Sequence, residues 1–115
     1  MEQTFVHELF RVIDSREWES FDQVFHPEIS YERPGYEPFV GMDRLHRFYT
    51  QERVIAEGKH HLSAVVVDEN HGASWGVFRG THRNGSPIEE AFADVYTFEN
   101  GRIKTRKSFF FRPAV

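Results

Sequence analysis

The segment EEAFADVYTFENGRIKTRKSFFF, residues 89–111, alternates between bulky and small side chains before Asn100-Gly101 and continues as a second β-like run after it. Asn-Gly is the strongest short signal for a hairpin, because both residues tolerate the positive φ angles of a type I′ turn. The segment therefore predicts two antiparallel strands, roughly 88–98 and 102–111.

The first of these strands carries an aspartate among aromatic residues. Successive side chains of a strand point to opposite faces. One face of this strand therefore holds Glu90, Phe92, Asp94, Tyr96 and Phe98. This face is bulky and mixes charged with aromatic side chains. The small residues Ala91, Ala93 and Val95 on the other face suit close packing of a second subunit, which predicts a homodimer.

Three helices are predicted before the strands. In residues 2–13 the apolar positions recur at spacings of three and four, the pattern of an amphipathic helix. Asp14 is placed to cap a second helix, with Glu17 three residues further on. A third helix follows Gly41 and is ended by Gly58. Its apolar face is formed by Leu45, Phe48, Tyr49 and Ile55.

A short strand over 28–32 precedes the third helix. Pro34 and Pro38 follow it, which favours an edge strand that leads into an irregular loop at a pocket rim. After the third helix, turn residues separate four strands of a meander, roughly 60–68, 73–82, 88–98 and 102–111. Helices followed by an antiparallel sheet are the α+β pattern, with three N-terminal helices packed on a curved, mostly antiparallel sheet.

Length and composition exclude several classes of protein. A chain of 115 residues that is 39% hydrophobic and 16% aromatic predicts one domain over 1–115 with one core. It has no cysteine, and its seven histidines lack a ligand-spaced pair, so we expect no metal and no other cofactor. A net charge of −4 with scattered basic residues argues against a nucleic-acid partner. Short apolar runs and the lack of a signal-peptide pattern predict a cytoplasmic protein that does not contact membranes.

Two segments carry a resemblance to a known family. SREWESFDQVFHPEISYERPGYEPFVGMDRLHRFY, 15–49, and FADVYTFENGRI, 92–103, resemble the nuclear transport factor 2-like superfamily, which includes ketosteroid isomerases, SnoaL-type polyketide cyclases and scytalone dehydratase. The resemblance covers nearly the whole chain. It implies a cone of three helices on a strongly curved sheet, a mostly apolar small-molecule pocket on the concave side, and dimerisation through the other sheet face.

The resemblance to ketosteroid isomerases is specific at one residue. Their strand before the last hairpin carries an aspartate in a D-V-x-x-F stretch, and Asp94 falls on it. The resemblance thus implies that the strand face that holds Asp94 is the concave one and lines the pocket. In those enzymes an apolar site keeps the aspartate protonated, so that it donates a hydrogen bond to an oxyanion. Tyr49 matches a supporting tyrosine. The general-base position instead holds Arg33-Pro34 and the oxyanion tyrosine falls on Leu9, so we do not expect steroid isomerisation by that mechanism.

Asp94, His60 and Tyr49 are the candidate catalytic residues. His60 is a candidate for proton transfer because imidazole titrates near neutrality, although a register slip of one residue would place His61 in the pocket instead. Scytalone dehydratase, by resemblance, uses histidines, tyrosines and an aspartate, and the chain supplies the same residue types at His60, Tyr49, Tyr31 and Asp94.

The candidate substrate-binding residues are Arg33, Trp75, Phe92, Tyr96, Arg106 and Phe110. Their aromatic rings indicate an apolar or flat ligand. A register slip in the strand of Trp75 would turn Phe78 inward in place of Arg79. Contact with Arg33 or Arg106 would keep Asp94 charged, as a base or an anchor, whereas apolar surroundings would keep it protonated, as an acid. Arg33 is also a candidate to bind an anionic substrate.

These residues predict a cofactor-independent enzyme that moves protons on a small hydrophobic, carbonyl-bearing metabolite. We expect a cyclase, isomerase or dehydratase of polyketide-type secondary metabolism. Epoxide hydrolases of the limonene type are an alternative, but TRKSFFF, 105–111, has no aspartate where their arginine and aspartate pair on neighbouring strands needs one. A non-catalytic ligand-binding or dimeric interaction protein of the same fold is a further alternative.

Overall fold

Three helices pack against one face of a six-stranded sheet in the computed structural model, which describes residues 1–112. The helices are α1 (Gln3–Asp14), α2 (Phe21–Val24) and α3 (Met42–Arg47), with a 3₁₀ turn at Trp18–Ser20 and a π-helical turn at Phe48–Glu52. The strands are β1 (Phe25–Glu32), β2 (Phe39–Val40), β3 (Ile55–Val67), β4 (His71–His82), β5 (Pro87–Glu99) and β6 (Arg102–Phe110). The sheet is curved and mostly antiparallel, so the α+β prediction is confirmed. The predicted domain 1–115 extends beyond the described residues at 113–115.

The apolar stripe of α1 covers the concave side of the sheet. The buried positions of this helix are Val6, Leu9, Phe10, Val12 and Ile13. Four of them follow the spacing of three and four that places side chains on one helix face. Within residues 1–112 no helix is long and apolar enough to cross a membrane.

The strand order is β2-β1-β6-β5-β4-β3, so the meander predicted for the last four strands is confirmed. The edge position predicted for the first strand is wrong, since β1 lies between β2 and β6. β1 runs parallel to β6, with Tyr31 opposite Arg106. The prolines that suggested an edge, Pro34 and Pro38, lie after β1 and so do not interrupt its hydrogen bonds.

Two predicted helix boundaries are wrong. Asp14 ends α1 and does not cap a second helix, because its carboxylate accepts hydrogen bonds from His60 of β3 instead. Ile55 begins β3 and Gly58 lies inside that strand, so Gly58 does not end the third helix. That helix ends through the π-helical turn, and β3 starts five residues earlier than the alternation indicated.

The predicted hairpin between β5 and β6 is confirmed. Asn100 has φ 54° and Gly101 has φ 75°, the two positive values that a type I′ turn needs. In β5 the buried face holds Ile88, Glu90, Phe92, Asp94, Tyr96 and Phe98. The side chains predicted to face inward from this strand therefore do so.

Two glycines let β4 approach β3 closely. A Cβ atom on Gly76 would lie 2.0 Å from the carbonyl oxygen of His61, and one on Gly80 would lie 2.3 Å from that of Glu57. Both distances are shorter than any real Cβ contact, so only glycine fits. The register of β3 against β4 shifts at two places nearby, and such bulges increase the twist and bend of a strand. The sheet therefore curves around the site described below.

The outer face of the sheet exposes a row of apolar side chains. Trp75 of β4, Ala93 of β5 and Phe109 of β6 are neighbours in register. Trp75 is 44% exposed and Phe109 is 46% exposed. The helices cover only the opposite face, so we propose that a second copy of the chain packs here.

Ala93→Asp is expected to dissociate this proposed homodimer. A charge buried at the centre of an apolar interface costs several kcal/mol, which raises the dissociation constant by roughly a hundredfold or more. Light scattering at micromolar concentration should show a dimer for the wild type and a monomer for Ala93→Asp. Thr4→Asp, on the exposed side of α1, is the control and should remain dimeric. A wild-type monomer at these concentrations would contradict the proposal.

Candidate functional site

A small cavity lies between the concave face of the sheet and the π-helical turn. It leaves about 20 Å³ for the centres of water molecules, which is room for one or two waters. Five charged side chains line it: Arg33, Arg53, Glu90, Asp94 and Arg106. The rings that line it belong to Tyr31, Tyr49, His60, Phe78, Phe92 and Phe110.

Asp94 forms a buried ion pair with Arg106. Nη2 of Arg106 lies 3.1 Å from Oδ2 of Asp94, and the two side chains are 4% and 1% exposed. The hydroxyl of Ser108 donates to Oδ1 at 2.5 Å, and Tyr96 lies at 3.4 Å from Oδ2. Donors thus occupy both carboxylate oxygens, an arrangement that suits an anion. Of the two alternatives left open for Asp94, the structure shows contact with an arginine, and the neutral-donor role is not supported.

Arg106 also holds Tyr49 in place. Its Nη1 donates to the Tyr49 hydroxyl oxygen at 2.9 Å. Burial raises the pKa of Tyr49, although Arg106 opposes the shift, so the phenol keeps its proton at neutral pH. Because the oxygen accepts from Arg106, the O–H hydrogen remains available to a ligand. Tyr31 joins the same group, since its hydroxyl lies 2.7 Å from the hydroxyl oxygen of Ser108.

His60 is paired with Asp14. Nδ1 of His60 lies 2.6 Å from Oδ1 of Asp14, and the backbone N–H of His60 donates to Oδ2 at 2.8 Å. A carboxylate can only accept, so Nδ1 carries the hydrogen and Nε2 is left as the basic nitrogen. Burial lowers the pKa of His60 below 6.5, and Asp14 only partly offsets this shift. The imidazole is therefore neutral at neutral pH and able to accept a proton.

His60 lies between the cavity and an outer groove. The groove runs between α1 and β3, has a volume of about 700 Å³, and includes Asp14, Lys59 and His61 in its lining. His60 lines both spaces, whereas Asp14 lines only the groove. The pair can therefore exchange protons with solvent on one side and with the cavity on the other. Sequence reasoning missed Asp14, because only the tertiary packing of α1 on β3 brings it to His60.

Arg53 is the other residue that sequence reasoning missed. It follows the π-helical turn, and its backbone N–H donates to the carbonyl oxygen of Phe48 at 2.8 Å. Its guanidinium lies 5.3 Å from the ring centre of Tyr49 and 5.8 Å from that of Phe78. The only sequence signal is an arginine directly before the apolar residues Val54 and Ile55.

The cavity brings together most of the predicted site residues, namely Asp94, His60, Tyr49, Arg33, Phe92, Arg106 and Phe110. Arg33 is buried, and its Nη1 lies 3.4 Å from the Tyr31 hydroxyl. Tyr96 faces inward but does not line the cavity, because its hydroxyl lies 2.8 Å from Oγ of Ser74 on β4.

The predicted position of Trp75 in the pocket is wrong. Trp75 pairs with Ala93, which faces outward from β5, so Trp75 lies on the outer face of the sheet. The register of β4 is the alternative one, with Phe78 buried and Arg79 exposed. Trp75 and Val77 make the outer face of β4 the more apolar one, whereas the inner face holds Phe78 among glycines and a serine. Alternation alone therefore favours the wrong face.

The expected absence of an arginine and aspartate pair on neighbouring strands is wrong. An aspartate and an arginine on neighbouring strands do form a pair, with Asp94 on β5 and Arg106 on β6. The residue types are exchanged relative to the expected positions, and 105–111 still contains no aspartate.

The described residues form no cluster of metal ligands. Within 1–112 no three histidine, aspartate or glutamate side chains lie close enough together to hold a metal ion. The polar groups of the cavity are three arginines, two tyrosines, two carboxylates, one serine and one histidine, a set suited to hydrogen bonding and proton transfer.

Comparisons with known proteins agree with this architecture. An NTF2-like protein of unknown function from Burkholderia pseudomallei superposes with a TM-score of 0.85 at 22% identity, over 96% of this chain and 92% of that one. A putative SnoaL-like polyketide cyclase from Jannaschia sp. superposes with a TM-score of 0.81 at 11% identity, over 94% of this chain and 83% of that one. An LEH-like epoxide hydrolase from M. tuberculosis superposes with a TM-score of 0.80 at 12% identity, over 94% of this chain and 80% of that one. No curated protein matches the sequence.

The sequence itself matches a family model. The model of the SnoaL-like domain covers residues 6–106, which include most of α1, the whole inner face of β5 and the arginine that binds Asp94. Sequence and fold thus agree, and the chain belongs to the SnoaL-like domain family.

Proposed function

We propose that the protein is a cofactor-independent enzyme that transfers a proton next to the carbonyl group of a small hydrophobic metabolite. The observation that carries the proposal is the His60–Asp14 pair, which presents a neutral imidazole to a cavity that also contains Tyr49. The polyketide cyclase among the structural relatives supports a place in polyketide-type secondary metabolism. We place the activity in the cytoplasm, in line with the sequence pattern.

His60 is the proposed general base. Nε2 removes a proton from the carbon next to the carbonyl, the C–H electron pair forms an enolate, and Asp14 stabilises the resulting imidazolium. Return of the proton to another carbon gives isomerisation. Attack of the enolate carbon on a second carbonyl, whose oxygen then takes up the proton from the imidazolium, gives cyclisation. Loss of a β-hydroxyl group, which takes up the proton and leaves as water, gives dehydration.

Tyr49 is the proposed donor to the enolate oxygen. Its hydroxyl accepts a hydrogen bond from Arg106, which polarises the O–H group that would point at the substrate. Asp94 acts here as an anchor, because it holds Arg106 in position. Phe92 and Phe110 exclude water from the reacting atoms. The cavity holds only one or two waters, so its side chains must move apart to admit a substrate.

The proposal is tested by incorporation of deuterium from solvent. Carbonyl compounds of increasing size are incubated with the protein in deuterated buffer, and NMR follows the loss of the proton signal next to the carbonyl. Exchange faster than in buffer is expected for at least one compound. A panel without any exchange would contradict the proposal and favour the non-catalytic binding protein.

Epoxide hydrolysis is the second candidate, and the Asp94–Arg106 pair on neighbouring strands favours it. In that case a carboxylate would activate water and an acidic hydroxyl would protonate the epoxide oxygen. Incubation with small epoxides, followed by detection of the diol, separates this activity from proton exchange.

A further inference from the structure

Arg53 is a buried cation in the cavity that the proposed mechanism does not use. Its residue exposure is 7%, and it lines the cavity. Its Nε makes no hydrogen bond within the part of the chain that the structure describes, residues 1–112. Over the same residues no carboxylate lies within ion-pair distance of its guanidinium.

The carboxylates that line the cavity already have other partners. Asp94 is bound by Arg106. Glu90 accepts from Nε of Arg112 at 3.1 Å and from its backbone N–H at 3.0 Å. Neither of the carboxylates that line the cavity therefore neutralises the positive charge of Arg53.

The surroundings of Arg53 compensate this charge only in part. The faces of Tyr49 and Phe78 attract a cation, and a water molecule can satisfy single N–H groups, but neither supplies a negative charge. The charge of Asp14 acts on Arg53 from beyond ion-pair distance and is bound to His60. Burial lowers the pKa of Arg53, yet a guanidinium remains charged in proteins. A buried cation without an ion-pair partner is unfavourable unless a ligand brings the anion.

We propose that Arg53 binds a carboxylate group of the substrate, so that the natural ligand is a small keto acid or a similar carbonyl compound with an acidic group. This inference rests on the proposed function, which assigns a carbonyl group to the substrate, and it adds a carboxylate as a second group of the same substrate. A carboxylate fits because its two oxygens match the planar fork of N–H donors on a guanidinium. Tyr49 contacts the Arg53 guanidinium with its ring, which places the anion site next to the proposed enolate donor.

The experiment measures binding by calorimetry and by the shift of the melting temperature. The probes are pyruvate and phenylpyruvate, each beside its uncharged methyl ester, together with inorganic phosphate. We expect a keto acid to bind at millimolar concentration or below and its ester to bind roughly 10- to 100-fold more weakly, the worth of a charged hydrogen bond. Preference for phosphate over both keto acids, or failure of both to bind, would overturn the proposal.

Variants locate the anion site. Arg53→Met keeps the length of the side chain and should bind the keto acid roughly 10- to 100-fold more weakly, while its melting temperature in the absence of ligand stays the same or rises. Arg53→Lys keeps the positive charge but loses the planar fork of donors, so its affinity for the keto acid should lie between those of Arg53→Met and the wild type. Arg79→Met removes an exposed arginine from outside the cavity and should bind as the wild type does.

Two outcomes separate this proposal from the proposed function. If Arg53→Met and wild type bind acid and ester equally, the anion site is overturned, while deuterium exchange into carbonyl compounds can still proceed. If the keto acid binds through Arg53 but no compound undergoes exchange, the anion site is supported and the proton-transfer function fails. A marked drop in the melting temperature of both Arg53→Met and Arg53→Lys would show a structural role and overturn the proposal.

Discussion

His60→Gln is expected to lower the rate of proton exchange by about 10²- to 10⁴-fold, the contribution of a positioned general base. Glutamine can still donate a hydrogen bond to Asp14 but has no basic nitrogen, so the loss reports proton transfer. His61→Gln is the matched control, because the side chain of His61 is exposed and does not line the cavity. It should keep the wild-type rate.

The pH dependence of the rate checks the same group. Only the neutral imidazole accepts a proton, so activity is expected above the pKa of His60 and is lost as the pH falls through it. Burial lowers this pKa below 6.5, while Asp14 raises it and Arg53 and Arg106 lower it. The midpoint of the acid limb should therefore lie below pH 6.5, and Asp14→Asn should move it to still lower pH.

Two results would contradict this assignment of the base. One is a rate for His60→Gln equal to that of His61→Gln. The other is an acid limb that stays at the same pH in Asp14→Asn, which would show that the titrating group is not the imidazole beside Asp14.

Asp94→Ala is expected to lower the free energy of unfolding by about 3–5 kcal/mol, because it leaves the charge of Arg106 buried without its partner. The whole free energy of unfolding of a folded domain is only about 5–15 kcal/mol, so the variant should unfold at a much lower urea concentration than the wild type. Asp94→Asn keeps the size but not the charge and should also be strongly destabilised. Since Asp94 anchors Arg106 and through it Tyr49, both variants should lose activity alike.

Controls separate the ion pair from general damage to the strand. Adding Arg106→Met to Asp94→Asn removes the buried cation that has lost its partner and should restore most of the lost free energy of unfolding. Glu28→Gln breaks the exposed pair with Lys104 and should change the free energy of unfolding by less than about 1 kcal/mol. If Asp94→Asn remained active while Asp94→Ala did not, Asp94 would act as a hydrogen-bond donor and the anchoring role would be wrong.

Local patterns predicted the parts of the fold that depend on neighbours in sequence. Asn100-Gly101 determined the last hairpin, and alternation along β5 placed Asp94 on the inner face. The same reasoning failed for Trp75, because the outer face of β4 is the more apolar one and only the pairing of Trp75 with Ala93 decides which face is inside. It also failed for β1, because its parallel pairing with β6 leaves no local signal.

The site could be predicted only in part for the same reason. His60, Tyr49 and Asp94 were found as residue types suited to the chemistry, and the structure places all three at one cavity. The partner of His60 was not found, since Asp14 at the end of a helix looks the same whether it caps the next helix or binds a strand. Arg53 was not found, since a buried arginine differs from an exposed one only in its packing.

The parallel pairing of β1 with β6 has a consequence during synthesis of the chain. Tyr31 and Ser108, whose hydroxyls meet in the finished protein, are 77 residues apart. A ribosome adds about 5–20 residues per second, so β1 waits about 4–15 s for its partner strand to be made. During that time β2 can pair with one edge of β1, but the edge that will bind β6 has no partner strand. The site cannot assemble before β6 emerges, because Arg106 and Ser108 lie on that strand.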